Sequence, residues 1–356
     1  MILFYKPTTQ YENLGDALIA KNLLAILSLQ GNVCVLTEGI PKGFIEIIKN
    51  NNCKNLSKIQ FVILPFVYRL LRKEVSFVYK PGHLFGGDKE YGRGLKSIIK
   101  NLYINLLHYS GVKIIKTGVS VGPLEGGFLK AERNISEKAY IYGVREDYSL
   151  KFVTENSFKK YKRVSDLAFY SIVKNRKKYA GLDKDNICFS FRPFKNSTIT
   201  LQEQAKILAE AIVRIAEANK ISKIYNVTQV QTDLSFNNLI EEKLSEYNFN
   251  IGKYYYNINA ESFNELGELY KNCKVILSNR LHSLLYAFEH GAHPIAIGNK
   301  VENFKVIHVL TDLNMKNIVV NIENDLLDEG ELHEAINAQI NSNNNWLADD
   351  LIRDFI

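Results

Sequence analysis

The stretch 275–297 constrains the fold more than any other part of the chain. Val275, Ile276 and Leu277 form an apolar run of strand length. Ser278 and Asn279 end that run and can cap a helix after it. Leu281, Leu284, Leu285 and Phe288 then recur at helical spacing, Gly291 supplies a helix stop, and Pro294 opens a second apolar run to Ile297. The pattern is strand, helix, strand. It places Arg280 and His282 where a parallel strand hands over to a helix, at the carboxyl edge where open α/β folds bind ligands. Free N–H groups and positive potential at a helix start make an arginine and a histidine there a candidate anion site.

The same alternation runs through the chain. Residues 1–5 read as a first strand, followed by the loop Asn13-Leu-Gly-Asp16 and a helix over 17–29. Asp16 or Asn13 can cap that helix, and Gly15 permits close backbone approach. The loop is not G-x-G-x-x-G, so a dinucleotide site has little support. Residues 59–71 are apolar enough for a strand or a buried helix, and the glycine-rich run 81–94 reads as a ligand-approaching or connecting loop. Residues 113–123 read as strand, then turn. Arg145 repeats the placement of Arg280 at a strand-to-helix corner, with an ion pair to its neighbours Glu146 and Asp147 as the competing reading. A turn-rich segment, 171–186, marks a hinge, and a second α/β half begins after it. The expected architecture is α/β with parallel sheets, two Rossmann-like lobes facing a central cleft: 1–172, 173–330, and a helical tail over 331–356 broken near 341–345.

Composition narrows the function classes. The 356 residues are enough for two domains, and 46% are apolar. The net charge of +7 is spread along the chain, which excludes a nucleic-acid stripe and suits acidic small molecules or an anionic membrane face. Four cysteines without a C-x-x-C pair read as reduced, packed thiols. The apolar start, residues 1–5, is shorter than a signal peptide, and no run reaches membrane-spanning length. A cytoplasmic protein is expected, with the inner face of the cytoplasmic membrane as a peripheral location.

Several motifs, in order, resemble the polysaccharide pyruvyl transferase family. They are Asn13-Leu-Gly-Asp16, Phe85-Gly-Gly87, Gly118-Val-Ser-Val-Gly-Pro123, Val144-Arg-Glu-Asp-Tyr-Ser149, Ser165-Asp-Leu-Ala-Phe169, Ser190-Phe-Arg192, and Arg280-Leu-His282 with Gly291, Pro294 and Lys300. The last group is the most specific. The resemblance implies a GT-B-like fold and transfer of pyruvate from phosphoenolpyruvate, as a ketal, onto two hydroxyls of a sugar. It implies a donor site lined by Arg145, Arg280, Leu281, His282 and Lys300, with Lys305 as the alternative to Lys300. Asn13, Gly15, Gly86, Gly87, Ser120 and Arg192 are expected on the acceptor side or in the cleft. The acceptor is expected to be a lipid-linked oligosaccharide or surface polysaccharide.

The residue types suit that chemistry. Arginine holds carboxylate and phosphate through paired hydrogen bonds. A protonated His282 can deliver a proton to the methylene carbon of the donor, and Asp16 or Asp166 can relieve the attacking hydroxyls of protons, unless they are only helix caps. With cations neutralising the leaving phosphate, neither a metal nor another cofactor is required. His290 and His293 read as packing residues near a helix end, where partial positive charge suits the dipole. Two rival functions remain at this level. One is a glycosyltransferase using a nucleotide sugar, in which the same cations hold a diphosphate. The other is a binding protein that retains the cleft without turnover.

Overall fold

The structure, a computed structural model, describes residues 1–340 except 51, 88–94, 176–177, 180–183, 196, 222, 300–301, 313–314 and 324–325. The chain forms two compact units. The first contains Met1–Tyr11 and Ile19–Leu167; the second contains Glu12–Leu18 and the described residues from Ala168 onward.

In the first unit the strands are β1 (Ile2–Tyr5), β2 (Asn32–Leu36), β3 (Cys53–Leu56), β4 (Val75–Val78), β5 (Gly82–Gly86), β6 (Lys113–Leu124), β7 (Ala139–Val144) and β8 (Tyr161–Arg163). They lie in the order β3-β2-β1-β4-β6-β7-β8, with β5 beside β6. All these pairings are parallel. The helices are α1 (Leu14–Gln30), α2 (Lys42–Ile48), α3 (Lys58–Leu70), α4 (Leu95–Tyr109), α5 (Gly126–Lys138) and α6 (Asp147–Glu155). The first turn of α1 belongs to the second unit.

The second unit runs α7 (Phe169–Asn175), β9 (Asn186–Ser190), α8 (Leu201–Ala218), β10 (Lys223–Thr228), α9 (Leu234–Leu244), β11 (Asn250–Tyr255), α10 (Ala260–Lys271), β12 (Cys273–Ser278), α11 (Leu281–Glu289), β13 (His293–Gly298), α12 (Phe304–Asp312), β14 (Val319–Glu323), β15 (Leu326–Leu327) and α13 (Glu329–Ile340). Its strand order is β11-β10-β9-β12-β13-β14-β15, parallel except for β15. Phe189, Val275, Leu277, Ile295 and Ile297 bury in one core with α8 and α9. Strands covered on both faces need near-continuous apolar runs, and β12 and β13 have them. Gly291 adopts φ +83° and closes α11, as its position predicts.

Each sheet begins in its middle. From β9 the chain builds outward through β10 to β11, then returns to the other side for β12 and β13. The carboxyl ends of β9 and β12 therefore flank a topological switch point, the place where open α/β sheets generally bind ligands.

Three local expectations are corrected. Residues 59–71 are neither strand nor buried helix: they form α3, whose buried side chains are Phe61 and Pro65. A capping box starts it, with Gln60 N–H donating to Ser57 Oγ at 3.4 Å and Ser57 N–H to Gln60 Oε1 at 3.0 Å. The glycine-rich run begins as a strand, not a loop, because 82–86 pair with β6; residues 88–94 lie outside the described residues. The turn expected near Gly122 is absent, and β6 continues through Pro123 to Leu124. In the tail, α13 is described to Ile340, and the break near 341–345 lies outside the described residues.

Candidate active site

The carboxyl edge of the second unit's sheet gathers charged side chains from three strand ends. Arg192 follows β9, Asp233 follows β10, and Arg280 follows β12. Arg280 pairs through Nε with Asp233 Oδ2, and its side chain remains 20% exposed while that of Asp233 is 3% exposed. Arg192 lies close enough to feel that pair. Burial and the Arg280 charge pull its pKa below the ordinary arginine value, partly offset by Asp233 and, more weakly, Glu302. Two guanidinium groups thus lie near Asp233, with Glu302 a more weakly felt second carboxylate. Like charges held together at a half-buried edge are stabilised by an anion.

Amide side chains fix the loop that carries Arg192. Asn279 Oδ1 accepts from Arg192 N–H at 3.0 Å, and Asn279 Nδ2 donates to Arg192 C=O at 2.8 Å. Asn237 does the same to Phe191, at 2.9 Å in both directions. Gln204 Oε1 accepts from Phe194 N–H at 3.0 Å. Glu302 Oε2 accepts from Lys195 N–H at 3.0 Å, tying this loop to the one after β13. The expectation that Asn279 caps α11 is therefore corrected, since the amide is spent on Arg192. Ser278 Oγ instead accepts from Arg280 N–H at 2.9 Å, and Arg280 is the N-cap residue without a side-chain cap bond.

His282 is the second residue of α11 and is half-buried. The backbone of Gly15 packs against its ring. A Cβ on Gly15 would fall 2.6 Å from His282 Cβ and Cγ, and closer still to Nδ1. The Asn-Leu-Gly-Asp loop thus meets the Arg-Leu-His corner within the second unit. Asn13 Oδ1 accepts from Gly15 N–H at 2.9 Å and orders the turn that begins α1; Asp16 follows, half-buried. Leu281 is buried at 9% exposure. The other end of α11 is anchored by Glu289, which accepts from Ser171 Oγ and Asn175 Nδ2, each at 2.7 Å.

Arg145, Asp166, Ser120, Gly86 and Gly87 lie in the first unit. Arg145 is buried at 5% exposure. Its Nη1 donates to Asp166 Oδ2 at 2.8 Å, and its Nε to Ser120 Oγ at 2.6 Å and Glu146 Oε2 at 3.3 Å. Ser120 Oγ donates in turn to Glu146 Oε2 at 2.8 Å. Burial pulls the Arg145 pKa down, but Asp166 and Glu146 outweigh it and hold the guanidinium above its ordinary value. The surface ion pair weighed for Arg145 is corrected to a buried network in which Asp147 is replaced by Asp166. Asp147 pairs with Arg163 instead, at 3.1 Å. Gly86, at φ +97°, accepts through its carbonyl from Glu125 N–H at 3.1 Å, and Gly87 faces Glu125. Lys300 lies outside the described residues, and Lys305 is on α12. His290 packs against Tyr286 and Tyr179 near the helix end, as expected; burial lowers its pKa, which runs against the partial positive charge expected there.

Among the described residues no group of three or more His, Cys, Asp or Glu side chains could hold a metal ion, and all four cysteines are free. Sequence reasoning missed the Asp233 partner of Arg280 and the clamps from Asn237 and Gln204. The one available signal was that Asp233 lies shortly after a central strand.

The fold defines the class first. The chain superposes on a UDP-GlcNAc 2-epimerase from Methanocaldococcus jannaschii with TM-score 0.55 and 13% identity, covering 98% of this chain and 95% of that one. It superposes on a glycosyltransferase from Rickettsia africae with TM-score 0.52 and 9% identity, covering 95% and 91%. At such identities the likeness shows the fold alone, two Rossmann-like units of GT-B type. No curated protein matches the sequence. The sequence profile of the polysaccharide pyruvyl transferase family matches residues 13–301, and the chain belongs to that family. It is a transferase.

Proposed function

We propose that this chain transfers pyruvyl from phosphoenolpyruvate to two hydroxyls of one sugar, on a cell-surface polysaccharide or a lipid-linked oligosaccharide, and releases phosphate. The observation that carries the reading is Arg280, paired with Asp233 at the β9–β12 edge, with Arg192 held at the neighbouring strand end by the Asn279 amide. The donor bears a carboxylate and a phosphate on three carbons, and guanidinium groups suit both anions through paired hydrogen bonds. Lys300 or Lys305 adds a further cation. Leu281 supplies an apolar wall beside the methylene.

In this scheme His282 gives a proton to the methylene carbon, leaving oxocarbenium character at C2. A phosphate beside the imidazole favours its charged form. The first sugar hydroxyl adds to C2, phosphate departs, and the second hydroxyl closes the ketal. Of the two hydroxyl protons, one restores His282 and the other leaves with phosphate. Asp16, next to the glycine that packs on His282, is the proposed base. The arginines neutralise the departing phosphate, so the scheme needs no metal or other cofactor. Arg145, Asp166 and Ser120 act in this reading as a positioning network for the first unit.

The test is mass spectrometry of candidate acceptors after incubation with phosphoenolpyruvate. A pyruvyl ketal in wild type, lost in Arg192→Met and Arg280→Met by roughly 10²-fold, is expected. The rival nucleotide-sugar reading is separated by thermal shift. Stabilisation by UDP-sugars and not by phosphoenolpyruvate would overturn the proposal.

A further inference from the structure

Two helices of the first unit expose apolar side chains with the same repeat. On α3, Ile59, Ile63, Val67 and Leu70 are spaced i, i+4, i+8, i+11, and all four are exposed. On α4, Ile98, Leu102, Leu106 and Tyr109 have the same spacing and are also exposed. The helices lie side by side and run in the same direction. Tyr103 Oη donates to Val62 C=O at 3.4 Å, and Arg69 Nε to Ser110 C=O at 3.2 Å. Their opposite faces, through Phe61, Ile104 and Leu107, enter one core with Phe4 and Phe77. Both stripes therefore point away from the same face of the sheet. Single exposed apolar residues are ordinary, but two aligned rows form a continuous patch that marks a contact surface.

Charge indicates what covers it. Neither helix contains an Asp or Glu. Four lysines stand at the N-terminal ends of the rows. Lys6 follows β1 and Lys80 follows β4, neighbouring strands paired at Tyr5 and Val78. Lys58 opens α3 and Lys100 lies in the second turn of α4. They are close enough that Lys58, Lys100 and Lys80 add to burial in disfavouring the Lys6 ammonium. Lys58 also pairs with Glu38, at 3.6 Å. Arg72 and Lys73 follow α3 at the far end, and both are exposed. Aliphatic rows on helices without an acidic side chain, bordered by basic groups, suit an interface with hydrocarbon on one side and phosphates on the other.

We propose that the α3–α4 face of the first unit docks on an anionic lipid bilayer, with the apolar rows entering the acyl boundary and the lysines meeting lipid phosphates. The surface lies outside the catalytic residues, so its failure and that of the pyruvyl transfer reading are separately visible.

The test is co-sedimentation of the full chain with vesicles of phosphatidylcholine alone or mixed with phosphatidylglycerol. Binding to the phosphatidylglycerol vesicles, weakened by salt, is expected. The double variant Ile63→Glu with Leu102→Glu should bind roughly tenfold or more weakly. Lys6→Glu with Lys100→Glu should lose the preference for phosphatidylglycerol. Ile63→Ser with Leu102→Ser repeats the first test if the charged pair melts early by circular dichroism. Turnover on a soluble acceptor should be unchanged in all of them. Absence of wild-type binding, or equal binding by the variants, overturns the proposal. So does a dimer seen by light scattering that the same variants dissolve without any vesicle binding, because the face would then serve a second copy of the chain.

Discussion

Arg145 and Arg280 occupy the same local setting, at the corner where a parallel strand turns into a helix, yet they are placed in opposite electrostatic situations. Arg145 meets two buried carboxylates, Asp166 and Glu146, and a serine, at 5% exposure. Arg280 meets one carboxylate, Asp233, keeps 20% exposure, and has a second guanidinium beside it. The first corner has its charge satisfied inside the protein. The second is short of negative charge at an edge open to solvent. The comparison teaches that the same strand-to-helix corner can enclose an arginine among carboxylates or leave it partly exposed, according to the neighbours the fold supplies.

The largest effect that tests this contrast is on stability. Arg145→Met leaves Asp166 and Glu146 buried without a cation and should cost about 3–5 kcal/mol, read from thermal or urea unfolding. Arg280→Met should cost less, about 1–3 kcal/mol, because it strips one buried carboxylate of its cation rather than two. Equal losses, or the reverse order, would break the comparison.

A second experiment addresses the corner that carries the proposed general acid, His282. Gly15→Ala puts a methyl into the space held by the His282 ring. The clash includes His282 Cβ, close to the backbone, so it outweighs any gain in helix propensity and stability should fall by about 1–3 kcal/mol. Turnover should fall by roughly 10²-fold, since small misplacements of a catalytic group are costly. Unchanged turnover would remove the Gly15–His282 packing from the mechanism.

The smallest effect separates the two ends of α11. Burial lowers the His290 pKa in the folded chain below the ordinary value of 6.5. Around and below pH 6.5 the unfolded chain therefore binds the proton more readily, and stability rises with pH. The contribution is fully present above 6.5 and is lost as the pH falls through and below it. In His290→Gln the slope of melting temperature against pH should flatten. An unaltered slope would show that His290 does not report the acid sensitivity of this helix.

Much of the fold was legible before any coordinates. The buried strands are apolar runs, and α11 starts and stops where its spacing and Gly291 say. The errors came where periodicity is ambiguous. An apolar run without alternation, 59–71, reads as buried whether strand or helix, but α3 leaves most of its apolar side chains outside. The glycines at 82, 86 and 87 suggested a loop, yet pairing with β6 supplies backbone partners that sequence does not display.

The amino-acid order alone determined that Arg192, Arg280 and His282 would sit at strand ends or helix starts, because short-range periodicity sets where each element begins. It also carried the family, since those motifs are contiguous. Only the tertiary structure decided which arginine is enclosed by carboxylates and which stays partly exposed. Asp233 lies 47 residues from Arg280, Asn279 lies 87 from Arg192, and Asp166 lies 21 from Arg145. Local spacing places a side chain on an element, but chain folding chooses its neighbours, and the neighbours set its charge balance.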